Sequence, residues 1–149
     1  MAALTDLTPE KLTETFEFLG EWEERYGYII DLGRMLPPMD EALKTEANRV
    51  YGCQSMVWMA ANQEPGDPPR LLFTADSDAL IVKGLIAILM VCYNARTPQE
   101  IIGFEFDKFI ERLALSQHLS PTRSNGLYEM VKRIRQLAVE AASKGGEAQ

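Results

Sequence analysis

The sequence predicts an α+β fold, a small antiparallel sheet packed against helices, in a single domain over residues 1–149. Three observations predict it. Apolar residues recur at helical spacing at both ends of the chain, a strand-like stretch with turn chemistry fills the middle, and no linker or repeat divides them. With 46% hydrophobic and 25% charged residues in 149, the chain can bury a core without staples.

The elements follow in order. Thr8-Pro9, Thr97-Pro98 and Ser120-Pro121 each set a capping hydroxyl before a proline suited to the first helical position. Thr97-Pro98-Gln99-Glu100 adds the glutamate of a capping box. After Thr8, Leu12, Phe16 and Leu19 repeat at helical spacing. Trp22, Tyr26, Ile29, Ile30 and Gly33 continue on a second helix, which Leu36-Pro37-Pro38 stops. Residues 49–61 favour a strand broken only by Gly52, residues 62–69 are turn chemistry, and residues 70–74 read as the returning strand. Asp76-Ser77-Asp78 is expected to cap the apolar helix at 79–91. Leu127, Met130, Val131, Ile134, Leu137, Ala138 and Ala141 make the stripe of a last, long helix. Met56, Met59 and Met90 are expected to fill the core. Lys132, Arg133 and Arg135 are expected on the wet face of the last helix, and Glu21, Glu23 and Glu24 on another solvated face.

Charge and cysteine count exclude several classes. A net charge of −7 disfavours nucleic acid, whose phosphates need clustered Lys and Arg. Two cysteines far apart form no disulfide framework and point to a reducing compartment. The opening Met-Ala-Ala-Leu-Thr-Asp has neither a basic stretch nor an apolar core, so no secretory signal is expected. The apolar run at 79–91 is interrupted by Lys83 and is too short to span a bilayer. The reading is a cytoplasmic protein without a membrane partner.

One place offers covalent chemistry. Gly52-Cys53-Gln54-Ser55 sets a cysteine in a polar loop, whereas Cys92 closes the apolar helix. Only a thiolate attacks, so a working cysteine needs exposure and a favourable charge nearby. From the residues alone, Cys53 is either such a nucleophile or an inert loop thiol. His118, the only histidine, is either a catalytic partner for Cys53 in a peroxidase-like enzyme or a structural group beside a helix cap. Asp76 and Asp78 read as capping carboxylates for the following helix rather than as a catalytic carboxylate pair or a cation site. Arg123 stands in the first turn of the last helix, where a cation opposes the dipole, and so calls for a specific partner such as Asp78 or the Cys53 thiolate. Two cysteines and one histidine without close spacing match no zinc pattern, and a cluster scaffold would need more thiolates. No cofactor or metal is expected.

Tyr51-Gly52-Cys53-Gln54-Ser55-Met56-Val57-Trp58 resembles the Gly-Cys-Gln-Ser-x-Val-Trp signature of the SufE family of sulfur acceptors. Residues 26–33, 76–85 and 117–127 resemble three further blocks of that family, in the same order. The resemblance implies a fold similar to that of the IscU-type scaffolds. It implies a protein that docks on a pyridoxal-phosphate cysteine desulfurase, takes a persulfide sulfur onto Cys53, stimulates the desulfurase and delivers the sulfur to an iron–sulfur cluster scaffold. It is then a carrier and activator, with no cofactor of its own, rather than an enzyme. Gln54, Asp78, His118 and Arg123 match polar positions the family uses around the thiol or the docking face. Met56 replaces the commonly seen glutamine, and the hairpin at 63–69 has its own proline-rich sequence. Because water and reductants consume a persulfide, Cys53 is expected to tuck against apolar surface near Trp58 and to swing out on docking. A docking module that activates its partner without carrying sulfur stays open beside this reading.

Overall fold

The computed structural model describes residues 4–147; Met1 to Ala3, with the opening part of the N-terminal reading, and Ala148 and Gln149 lie outside them. Helix α1 (Pro9–Phe18) starts where Thr8 accepts from the Lys11 amide at 3.1 Å. Helix α2 (Trp22–Arg34) stops before Leu36-Pro37-Pro38, since neither proline has an amide to continue the ladder. Strands β1 (Val57–Glu64) and β2 (Arg70–Ser77) pair antiparallel, in register from Val57 opposite Ser77 to Glu64 opposite Arg70. Helix α3 (Leu80–Tyr93) follows, then α4 (Pro98–Gly103) behind the complete Thr97/Glu100 capping box, α5 (Phe106–Leu113), and α6 (Pro121–Glu147), where Ser120 accepts from the Arg123 amide at 3.2 Å.

The fold is the α+β arrangement the sequence predicts, a two-stranded sheet against helices. Helix α3 is its axis. Val82 and every residue from Gly84 to Tyr93 are buried, which explains why this helix lacks a polar stripe. It lies tightly against α2: a Cβ on Gly84 would collide with the Ile29 carbonyl, and one on Gly33 would stand 2.7 Å from the Gly84 nitrogen. Leu127, Met130, Val131, Ile134 and Ala138 of α6 close the core from another side. Among the described residues no helix is long and apolar enough to cross a membrane.

Four local expectations are corrected. The strand read over 49–61 begins only at Val57, because Gly52 takes a φ of +89° and turns the chain out. Arg49 still bridges Trp58, and the Val50 amide donates to the Val57 carbonyl at 2.9 Å, so residues 51–56 form a closed loop. Asp76 and Asp78 do not cap α3 with their carboxylates; the N-cap is Ala79, without a side-chain bond, and the Ser77 hydroxyl accepts from the Ala79 amide at 3.2 Å. Asp76 pairs instead with Lys44 at 3.0 Å and Lys83 at 3.5 Å, while Asp78 faces the cysteine loop. Met59 and Met90 are buried, but Met56 is 40% exposed on that loop. Arg133 is only partly on the wet face, since it donates to the Arg49 carbonyl at 2.7 Å.

Candidate thiol site

The closed loop carries Cys53 to the side of α6. Asn125 Nδ2 donates to the Gly52 carbonyl at 3.1 Å, and Cys53 Sγ donates to the Gly126 carbonyl at 3.6 Å. Gly126 lacks a side chain where the loop needs room: a Cβ there would stand 3.3 Å from Sγ. Gly52 is confined likewise, since a Cβ on it would meet Glu129 Cγ at 2.7 Å. From the other side, Asp78 grips the loop's exit. Its carboxylate accepts from the Met56 amide at 3.0 Å, and its own amide donates to the Met56 carbonyl at 3.3 Å.

The thiol is half-buried. It borders a pocket of about 50 Å³ between the N-terminal half of α3 and the first turns of α6, walled by Ile81, Val82, Leu85, Leu127 and Met130. Gln54 and Arg123 stand at this pocket's edge. Burial, and then the Glu129 carboxylate, push the Cys53 thiol above its ordinary value, while Arg49 acts in the opposite direction. In this conformation the group is held as a thiol, shielded rather than activated. Cys92 is buried on α3 and its thiol is pushed up by desolvation much further.

The sequence places Cys53 against apolar surface near Trp58; the structure gives a different wall. Trp58 sits under the Lys44 ammonium, 5.4 Å from its ring centroid, and the thiol's apolar neighbours come from α3 and α6. The reason is register: Trp58 pairs with Asp76 in the ladder, and Gly52 turns the loop away from that strand.

The residues singled out with Cys53 divide into two groups. Gln54, Asp78 and Arg123 are at or beside the loop. His118 is not among the residues lining the thiol's pocket. Its ring stacks on Trp22 with centroids 3.7 Å apart, and Tyr26 donates its hydroxyl to the His118 carbonyl at 2.8 Å. A cysteine–histidine nucleophile pair is absent from this arrangement. Arg123 forms no ion pair among the described residues, with Asp78 or otherwise, and the cation that acts on the thiol is Arg49. Asn125, Gly126 and Glu129, which sequence reasoning did not single out, hold the loop. Their spacing on one face of a helix is a signal, with a glycine interrupting an otherwise well-filled helix as its most legible part. No group of three or more histidine, cysteine or acidic side chains able to hold a metal gathers among the described residues.

The fold is an α+β domain that presents one half-buried thiol on a loop clasped by a long helix. The family model described as SufE, Fe-S metabolism associated domain, matches residues 10–138, and the chain belongs to that family. Its role lies in iron–sulfur metabolism. The solution structure of a hypothetical protein from Thermus thermophilus is similar in fold, with a TM-score of 0.72 at 20% identity over 92% of this chain and 99% of that one.

Proposed function

We propose that Cys53 accepts a sulfane sulfur from the persulfide on a pyridoxal-phosphate cysteine desulfurase and hands it to an iron–sulfur cluster scaffold, in the cytoplasm. The single observation that carries this reading is the contrast between the two thiols: Cys53 is half-buried on a loop held by a few bonds, whereas Cys92 is enclosed in α3. Transfer is exchange at sulfur. The Cys53 thiolate attacks the outer sulfur of the partner's persulfide, a new S–S bond forms on Cys53, and the partner's cysteine leaves as its thiolate. The proton on Cys53 passes to a base or water before attack. Freeing the partner's cysteine for its next turnover is how the protein stimulates the desulfurase without being an enzyme itself.

The small pocket supports storage between encounters, since apolar walls from α3 and α6 keep water from the sulfur. Release needs the loop to leave α6. Exposed Tyr51, Met56 and Leu80 surround the loop and offer apolar surface to a partner, with Gln54 and Arg123 as polar contacts at its edge. Asp78 is the positioning residue that orients the loop's exit through Met56. His118 serves the docking face through its stack on Trp22 rather than the thiol.

Incubating the chain with desulfurase and cysteine and then weighing it intact tests the reading. A gain of about one sulfur atom, absent from Cys53→Ser, is expected from exchange at a lone thiol. Stimulation of the desulfurase that survives Cys53→Ser, with no sulfur gained by the wild type, would identify a docking module instead.

A further inference from the structure

A second cavity lies away from the thiol. It has a volume of about 500 Å³, within the ~300–1,000 Å³ range of small-molecule sites, and opens beside the C-terminal end of α3. Leu4, Leu7, Met35, Pro38, Phe73 and Met90 supply apolar wall. The thiol's pocket touches α3 at Val82 and this cavity touches it at Met90, about 12 Å further along the helix axis. No residue lines both.

The polar groups of the cavity are lopsided. Arg70, Arg96 and Asn94 line it, and no Asp or Glu does, although the chain carries a net charge of −7. Arg96 Nε is fully buried without a hydrogen-bond partner, and its guanidinium makes no ion pair among the described residues. With Nε enclosed and no carboxylate paired to the guanidinium, an anion in the cavity would offset the charge electrostatically. Arg70 is anchored to the Ala95 carbonyl at 2.9 Å, which aims its planar head along the same rim. Asn94 is already committed, its side-chain oxygen accepting from the Phe73 amide at 2.7 Å. Asp6, between the lining residues Thr5 and Leu7, is outside the lining, and so are two further acids. Glu64 faces Arg70 across the ladder, and Glu100 is bonded to Thr97 and within electrostatic reach of both arginines.

We propose that this cavity binds a carboxylate with an apolar body of medium-chain length, its head meeting Arg70 and Arg96 and its tail lying against Phe73, Met35 and Met90. The planar guanidinium fork matches a carboxylate, and Met35, Phe73 and Met90 give the tail an apolar wall, with the threonines Thr5, Thr8 and Thr74 elsewhere in the lining. This site is independent of sulfur transfer at Cys53.

Octanoate is the probe, titrated into the full chain carrying methyl-labelled methionine at about pH 7.5, where the acid is ionised. Saturable one-site shifts of the Met35 and Met90 methyls are expected, with Met56 unmoved. Octanol, which lacks the charge, is expected to bind about ten- to a hundred-fold more weakly, and Arg70→Glu to weaken octanoate by a similar factor. The octanol comparison needs no variant and so decides the matter even where Arg70→Glu disturbs folding. Absence of saturation, equal binding of octanol and octanoate, shifts spread over Met56 as well, or a dimer in sedimentation whose interface covers the cavity would each overturn the proposal.

Discussion

Cys53 lies directly on Gly126: its sulfur donates to the glycine carbonyl at 3.6 Å, over a face where a single added methyl would stand 3.3 Å from it. The loop's resting place therefore depends on a helix position with no side chain. Gly126→Ala sets two effects against each other. Alanine favours the helix by about 1 kcal/mol, while its methyl pushes the sulfur off by a few tenths of an ångström. Global stability in denaturant is expected to change by less than about 1 kcal/mol, with Cys53 alkylated faster by iodoacetamide. Slower alkylation would mean that the loop does not rest on this face.

Glu129 stands under the same loop and acts on the same thiol. Burial raises the Cys53 thiol, the Glu129 carboxylate adds to that, and Arg49 opposes it. A raised folded-state value favours the neutral thiol. Its stabilising contribution is present below the unfolded thiol's value and is lost as pH rises through the folded one. The alkylation rate should thus rise with pH along a curve displaced to the alkaline side of a free cysteine. Glu129→Gln is expected to move that curve toward neutrality and to raise the rate near pH 7.5 about threefold. An unmoved curve would remove Glu129 from the account.

Asp76 sits at the end of β2, paired with Lys44 and Lys83. Burial alone would raise its carboxyl, but the Lys44 hydrogen bond, the Ser77 amide and the nearby Lys83 charge more than offset that, and the group is held below its ordinary 3.8. The stability it contributes is present above the unfolded carboxyl's value and is lost as pH falls through the folded one. Asp76→Asn is expected to lose about 1 kcal/mol or less near neutral pH, because solvent screens the partly exposed pairs with Lys44 and Lys83. The difference between denaturant melts of the two proteins should shrink as pH falls through the lowered folded-state value of this carboxyl.

Cys92 is the internal control for the sulfur chemistry. It is buried among the apolar residues of α3, with its thiol pushed up by desolvation. Cys92→Ser puts a hydroxyl there and is expected to cost about 1–3 kcal/mol, with sulfur loading in the mass experiment unchanged. Loss of loading in a variant that remains folded would reassign the acceptor.

Much of the fold was legible because its signals are local. Three hydroxyl–proline starts and the stop at Pro37-Pro38 need only neighbouring residues to act, and the structure places helix ends at each. Cys53 stood out for the same reason, as a thiol in a polar loop set against one in an apolar helix. The errors concern partners. Asp76 reads as a cap because its local context is a helix start, yet Lys44, distant in the chain, arrives 3.0 Å away and takes the carboxylate. Met56 reads as core because methionine usually is, and the turn at Gly52 exposes it.

By itself the sequence determined most of the element types, the apolar faces and which cysteine stands in a loop rather than in an apolar helix, since periodicity, capping and side-chain chemistry are carried by residues close along the chain. Only the tertiary structure decided what surrounds that sulfur. Asn125, Gly126 and Glu129 come to the loop from more than seventy positions away, and Trp58, five residues from Cys53, is turned elsewhere. Distance in space is set by how α6 closes over α3, and no local pattern encodes that closure.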